Sequence, residues 1–337
     1  MIAPGGSGVT AWTPATWSLA LPLPTTDDSA PGSQLERLLA LANRPDPVKT
    51  AVVHPVDELS LTGAVEAAER GLIVPVLVGP QARIAQAAKA AGVDISGLEV
   101  RDARHSHAAA ALSCLLAGQG EVQAIMKGAL HTDELLEAAV ARESGLRTER
   151  RMSHVFILDV PTYPKPLLVT DAAINIAPDL ATKRDIVQNA IDCARAMGVA
   201  RPKVAILAAV ETVNPKMIAT LDAAALCKMA DRGQIVGGLL DGPLAFDNAI
   251  SKEAAEAKHI VSEVAGDADI LLVPDIESGN MLAKQLFYLA RAQSAGIVMG
   301  AKVPIMLTSR SDGALSRMAS CAVALLVAKA QRSKPAK

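Results

Sequence analysis

Aromatic side chains are nearly missing from this sequence: two Trp, two Tyr and three Phe occur in 337 residues. Half of the chain is nevertheless apolar, so its core must be built from Ala, Val, Leu and Ile. That mix, with Gly and Pro between segments, suits alternating strands and helices. Excess charge is also missing. The formal net charge of −2 argues against a general nucleic-acid or anionic-membrane binder, so an anionic ligand must be met by a local cluster of bases. The four cysteines, Cys114, Cys193, Cys227 and Cys321, lie far apart. No CxxC pair and no His/Cys spacing suggests zinc, and a reducing cytoplasmic setting is the simplest account. The longest apolar stretches, such as 319–328, are too short to cross a bilayer as a helix. GxGxxG after a strand, GxxxxGK[ST], HExxH and GxSxG are all absent, which removes support from NAD-binding, P-loop and serine-hydrolase readings.

Residues 1–34 hold both tryptophans and many Pro, Gly, Ser and Thr, with no basic side chain before Arg37. A secretory signal needs a positive start and a longer apolar centre. The segment is expected to be a loose tail or an added edge strand. From residue 49 the pattern becomes regular. Strands are expected at 50–54, 72–78, 98–101 and 122–126, alternating with helices at 57–70, 80–91, 107–117 and 132–142. Short β-branched runs between amphipathic helices indicate a parallel sheet covered on both faces. A polar, arginine-rich break follows at 142–151. Strands 154–160 and 167–170 then flank a Pro-rich turn and form a plausible antiparallel pair. Alternation resumes with helices 181–197, 215–229, 253–263 and 281–292 and strands 204–207, 235–240, 270–273 and 296–298. The expected architecture is α/β and two-lobed, each lobe a mostly parallel sheet flanked by helices, with an active-site cleft between them. Residues 35–150 plus 300–337 form a discontinuous first domain and 151–299 the second. Periodicity does not reveal whether the last strand and helix return to the first sheet.

The densest chemistry lies where apolar strands end in polar residues. An apolar run leads into Thr308-Ser309-Arg310-Ser311-Asp312, and an Ala/Leu-rich helix follows. Free N–H groups and the positive end of a helix dipole favour phosphate at such a place. Ser309-x-x-Asp312 also fits a capping box, and both readings stand. Lys127-Gly128 combines a charge with backbone free to approach a ligand closely. His131, Thr132 and Asp133 follow, where Thr132 or Asp133 also reads as a cap. Arg142, Arg147, Arg150 and Arg151 form the densest basic cluster, read either as solvated or as guanidinium forks for phosphate. Asp171 and Asn175, Asp241 to Asn248, and Asp275 to Asn280 supply three further polar strand ends, each also explicable as turn chemistry. His105 and His107 read as a cap and surface pair rather than a metal grip, and no metal site is expected.

Taken together, these stretches resemble the phosphate acetyltransferase/phosphate butyryltransferase family, particularly the branch often fused behind an enoyl-CoA hydratase domain. The matching segments include Ala51-Val-Val-His-Pro55, His105-Ser-His107, Met126-Lys-Gly-Ala-Leu-His-Thr-Asp-Glu134, Gly145-Leu-Arg-Thr148 and Arg151-Met-Ser-His154. They continue through Thr170 to Asp179, Asp241 to Asn248, Glu277-Ser-Gly-Asn280 and Thr308-Ser-Arg-Ser-Asp312. The resemblance covers about residues 49–329.

It implies a two-lobed cytoplasmic enzyme, a homodimer or larger. The implied reaction moves a short acyl group, acetyl to butyryl, between coenzyme A and inorganic phosphate. No tightly bound cofactor, nucleic acid or membrane is implied; acyl-CoA and phosphate are substrates. Ser309 and Arg310 are the implied contacts to phosphate and the reacting centre, and Asp312 is the candidate base. A carboxylate in a helix first turn is stabilised as the anion, which weakens it as a base. The candidate substrate-binding residues are Lys127, Gly128, His131, Thr132, Arg147, Arg151, Asn175, Asp241 and Asn280.

The sequence departs from the better-known acetyltransferases twice. Their helix acid is Ser316 here, and the arginine that follows their His-Thr motif is Glu137. Two other functions stay open. One is a metal- and NAD-dependent decarboxylating dehydrogenase of related fold, with Asp241, Asp247 and Asp275 as its only candidate metal ligands. The other is a catalytically silent regulator that binds CoA or acyl phosphate.

Overall fold

The computed structural model describes residues 32–42, 46–307 and 313–333. Its first elements are α1 (Ser33–Ala42), β1 (Val48–Val53), α2 (Glu58–Glu69), β2 (Ile73–Gly79), α3 (Gln81–Ala91) and β3 (Glu99–Asp102). Next come α4 (Ser106–Gly118), β4 (Ala124–Lys127), α5 (Thr132–Val140), a 3₁₀ turn (Arg142–Ser144), β5 (Ser153–Asp159) and β6 (Leu167–Thr170). The middle of the chain supplies α6 (Leu180–Ala196), β7 (Lys203–Leu207), α7 (Ile218–Asp231), β8 (Leu239–Leu244), α8 (Phe246–Ile250) and α9 (Lys252–Ala257). The last elements are β9 (Ile270–Leu272), α10 (Ile276–Tyr288), β10 (Gln293–Met299), β11 (Ile305–Met306) and α11 (Ala314–Arg332).

Among the described residues the strands form one eleven-stranded sheet, ordered β3-β2-β1-β4-β11-β10-β5-β6-β9-β7-β8. One mostly parallel sheet per lobe was expected, and a single mixed, mostly parallel sheet is found. Most neighbours are parallel, but β10 runs antiparallel to both β11 and β5, and β5 antiparallel to β6. The strand after residue 300 does return to the first half, where Ile305 and Met306 pair in parallel with Ile125 and Met126. Only long-range pairing decides this, because β11 is two residues long and carries no period of its own.

The core explains the layering. One cluster runs along one face of the whole sheet. It joins Val52, Met126, Val155, Ile297, Leu168 and Ile206 to α1, α2, α3, α6, α7 and α11. The opposite face carries two separate clusters. Ala51, Val53, Ile125 and Ile305 pack under α4 and α5, while Leu158, Val169, Ala205 and Leu271 pack with residues of α8, α9 and α10. Side chains alternate between faces along a strand, so the strands inside the sheet contribute to both layers, while edge strand β3 gives only Val100, to the continuous one.

Three elements differ from the sequence expectation, each for a local reason. The helix expected at 281–292 begins at Ile276, because the Asp275 carboxylate accepts from the Ser278 N–H at 2.8 Å and caps it. Glu277 to Asn280 therefore lie in a helix first turn rather than a loop. The strand expected at 235–240 spans 239–244, since Gln188 holds Val236 through two hydrogen bonds outside the sheet. Asp241 thus sits inside a strand and not beyond its end. The helix expected at 253–263 is the shorter α9 over 252–257, capped by Ser251, whose side chain accepts from the Ala254 N–H. The expectation for residues 1–34 falls almost wholly outside the described residues.

Candidate active site

Strand β4 ends in Lys127, whose odd position puts it on the face with two clusters. The chain then presses onto the end of β1. Gly128 N donates to Val53 O at 3.0 Å, and Ala129 N donates to His54 O at 3.0 Å. A Cβ on Gly128 would collide with the Val53 carbonyl oxygen, so glycine is required by this approach. His54 itself has φ +54°. Its Nδ1 lies 2.9 Å from Ala129 O, which makes Nδ1 the protonated nitrogen. His131 caps α5 in a box with Glu134, and Thr132 is the first helical residue. His105 caps α4 by accepting from Ala108 N, and His107 Nδ1 approaches Glu134 at 3.2 Å. A hydrogen bond from Ser106, then the His131 N–H and the neighbouring histidines, holds the Glu134 carboxyl below the usual range. The two alternate histidines are a cap and a surface partner.

A second polar group gathers where β5 begins and β6 ends. Asp171, buried to 3% exposure, accepts from the N–H groups of Ala173, Ile174 and Asn175 and from Asn175 Nδ2. Asn175 Nδ2 also donates to Met152 O at 2.9 Å, and Asn280 Nδ2 donates to Ala172 O at 3.2 Å. Asn175 and Asn280 thus stitch the loop after β6 to β5 and α10. Arg151 belongs to the same neighbourhood through its backbone, which donates to Asp185 and accepts from Asn189. The Arg151 and Arg147 side chains are exposed. Arg150 instead pairs with Asp192 at 2.8 Å, which gives one member of the arginine cluster a structural partner.

The two groups are related through the sheet register. Met126 pairs with Met306, Met306 with Ile297, Ile297 with Val155, and Val155 with Thr170. One step from this line, on the face with two clusters, stand Lys127, Gly296 and Phe156 on one side and His154 and Asp171 on the other. Asp241 is not gathered with them. It lies in edge strand β8, seven strands from β4, a path of roughly 34 Å along the sheet at 4.8 Å per strand. Ser309, Arg310 and Asp312 lie outside the described residues.

Sequence reasoning passed over His154, quoted there only as part of a motif. Its alternation in a strand looks like any core position, and only the pairing with β10 sets it over Gly296. Other reactive groups are muted. Burial pushes the thiols of Cys114, Cys193 and Cys321 up to about 12, which makes them poor nucleophiles near neutrality. Among the described residues, no group of three His, Cys, Asp or Glu is arranged to hold a metal ion, and no helix is long and apolar enough to cross a membrane. Of the three carboxylates weighed as metal ligands, Asp275 caps α10, Asp247 lies 3.8 Å from Lys258, and Asp241 faces its own Gly242 N–H.

Comparison with known families adds what geometry does not. The family model described as phosphate acetyl/butaryl transferase matches residues 106–325. The chain belongs to that family. A phosphate acetyltransferase of Rhizobium meliloti is 57% identical over 301 residues, covering 89% of this chain and 95% of that protein. A phosphate butyryltransferase of Clostridium acetobutylicum is 42% identical over 280 residues, 83% of this chain and 93% of that one. Among solved structures, a branched-chain phosphotransacylase from Enterococcus faecalis V583 superposes with a TM-score of 0.72 at 30% identity. It covers 83% of this chain and 99% of its own.

Proposed function

We propose that this family member is a phosphate acyltransferase that interconverts acyl-CoA plus phosphate with acyl phosphate plus CoA. Acetyl is the preferred group, given the higher identity to a phosphate acetyltransferase than to a phosphate butyryltransferase. One structural observation carries the reading. Strand β11 pairs beside β4, so the exit toward Ser309-Arg310 and the exit at Lys127-Gly128 leave neighbouring strands from distant parts of the sequence. In open α/β sheets ligands sit beyond strand ends where topology changes.

The proposed active site lies in a cleft between two lobes, 35–150 plus 300–337 and 151–299. The division of the core into two clusters on one face supports that arrangement. Arg310 binds phosphate, Ser309 meets the reacting centre, and Asp312 is the candidate base. Lys127, Gly128, His131 and Thr132 line one wall. Asn175 and Asn280 order the opposite wall, with Arg147 and Arg151 as exposed guanidinium groups for phosphate oxygens. Asp241 is assigned to the far edge of the second lobe. Likeness to the hydratase-fused branch extends the family reading to a finer subgroup. The protein is proposed to act in the cytoplasm as a homodimer or larger homo-oligomer without a tightly bound cofactor.

In the forward direction a phosphate oxygen attacks the thioester carbon, and the C–S bond breaks to release CoA. A free thiol titrates near about 8.5, so a positively charged pocket favours its departure as thiolate. A well-placed donor to developing negative charge contributes about 3–4 kcal/mol.

The test is thiol release from acetyl-, propionyl- and butyryl-CoA with and without phosphate. Release that requires phosphate supports the proposal. NAD reduction with a divalent metal, or binding without turnover, overturns it. Arg310→Ala is expected to raise the phosphate KM at least about tenfold while the fold survives. Unchanged phosphate kinetics in that variant would remove the role assigned to Arg310.

A further inference from the structure

His154 on β5 is buried to 2% exposure, and its Nδ1 has no hydrogen-bond partner among the described residues. An unpaired buried polar atom costs about 1–3 kcal/mol and calls for an explanation. Packing fixes the ring around it. Phe156 meets it edge-on with centroids 4.3 Å apart, and Phe287 meets Phe156 at 5.5 Å. Two of the three phenylalanines in the chain are spent on this contact.

The neighbouring strand gives the ring its direction. A Cβ on Gly296 would stand 3.0 Å from His154 Nε2 and 3.6 Å from Leu307 O. The nitrogen therefore lies over the bare Gly296 backbone, on the side where β11 leaves the sheet. Burial lowers the imidazole pKa to about 4, partly opposed by Asp171, so the ring is neutral near pH 7. Asp171 already accepts four hydrogen bonds and is not a proton acceptor for the ring. An orphaned buried donor is rarer than an orphaned acceptor. The proton accordingly sits on Nε2, leaving the lone pair on Nδ1 unpaired.

We propose that His154 is a further catalytic residue, a neutral Nε2–H donor to the thioester carbonyl oxygen as phosphate attacks. This rests on the acyltransfer reading above. A phosphate oxygen forms a bond to the carbonyl carbon, and the C=O π pair moves onto the oxygen, which accepts a hydrogen bond from Nε2–H. The pair then returns, the C–S bond breaks, and the proton released by hydrogen phosphate ends on the CoA sulfur. His154 neither gains nor loses a proton. Its role is that of a preorganised donor in a water-poor site, and a neutral imidazole suits it.

Three variants test this: His154→Leu removes the donor at similar bulk, His154→Gln returns an amide N–H near the Nε2 position, and His154→Asn returns one near Nδ1. The expected result is a kcat about 100-fold lower for the Leu and Asn variants. KM for acetyl-CoA and phosphate should change less than about threefold, and Gln should recover at least about tenfold over Leu. Thermal melts establish that each variant is folded. If Leu does not fold, the Gln-to-Asn ratio carries the comparison. A Leu variant with kcat near wild type, or folded Gln and Asn variants that are equally slow, overturns the assignment. Wild-type enzyme lacking phosphate-dependent thiol release would instead overturn the acyltransfer reading itself.

Discussion

At Gly128 a single missing methyl group lets two strand ends meet. Its amide donates to Val53 O, and any Cβ would strike that same oxygen. Gly128→Ala is expected to lower activity at least about tenfold, with little change in circular dichroism, because the loop carrying Lys127 and His131 must move. A misplacement of about 1 Å near a reacting centre is enough for such a loss. Retention of full kcat/KM in that variant would show that the close approach is dispensable. His154 makes a second prediction at this scale. Its folded pKa, near 4, lies below the ordinary histidine value of 6.5. The unfolded chain therefore binds the proton first as pH falls, and stability present above pH 6.5 is lost between 6.5 and about 4. Chemical denaturation of wild type and His154→Gln should show a steeper fall for wild type over that window. Parallel curves would mean that the ring is not held neutral by burial. The sequence names both residues, but it could not rank His154 above any other alternating strand position.

At the scale of elements, α1 depends on a contact that no local pattern announces. Its first N–H groups, on Gln34 and Leu35, donate to the buried Asp159 Oδ2 at 2.7 and 3.2 Å. A carboxylate at a helix N-terminus satisfies orphan donors and complements the dipole. Asp159→Ala should cost about 1–3 kcal/mol in denaturant titrations, through loss of buried acceptors. A midpoint within error of wild type would deny α1 this anchor. Helices α6 and α7 are joined by the Lys183–Asp222 ion pair at 2.7 Å, with both side chains largely buried. Removing only the acid strands a buried cation, so Asp222→Ala should destabilise by about 3–5 kcal/mol. The combined Lys183→Met, Asp222→Leu change should cost less. Elements with strong periods, such as α2, α6 and β1, were readable from sequence within a few residues. Those at 239–257 and the start of α10 were not, because Gln188, Ser251 and Asp275 set their limits through specific hydrogen bonds.

For the molecule as a whole, one continuous core layer binds all of the sheet while the other face is divided in two. Substitutions in the shared layer, for example Val155→Ala or Ile297→Ala, should therefore destabilise both halves together. About 2–4 kcal/mol is expected from the lost volume, in a single cooperative transition. Two separated melting transitions in the wild type would speak against that shared layer.

What the sequence settled by itself was the material and the family. An aromatic-poor, Ala/Val/Leu/Ile core forced alternating strands and helices, and ordered motifs from Ala51 to Asp312 marked a phosphate acyltransferase. Those properties are local or additive, so they survive being read one segment at a time. Tertiary structure alone decided that one mixed sheet replaces two, that β11 enters beside β4, and that Asp241 stands at the far edge. It also decided that His154 lies over Gly296. Each depends on strand pairing between residues distant along the chain, where hydrogen bonds and burial choose the partner and no local period records the choice.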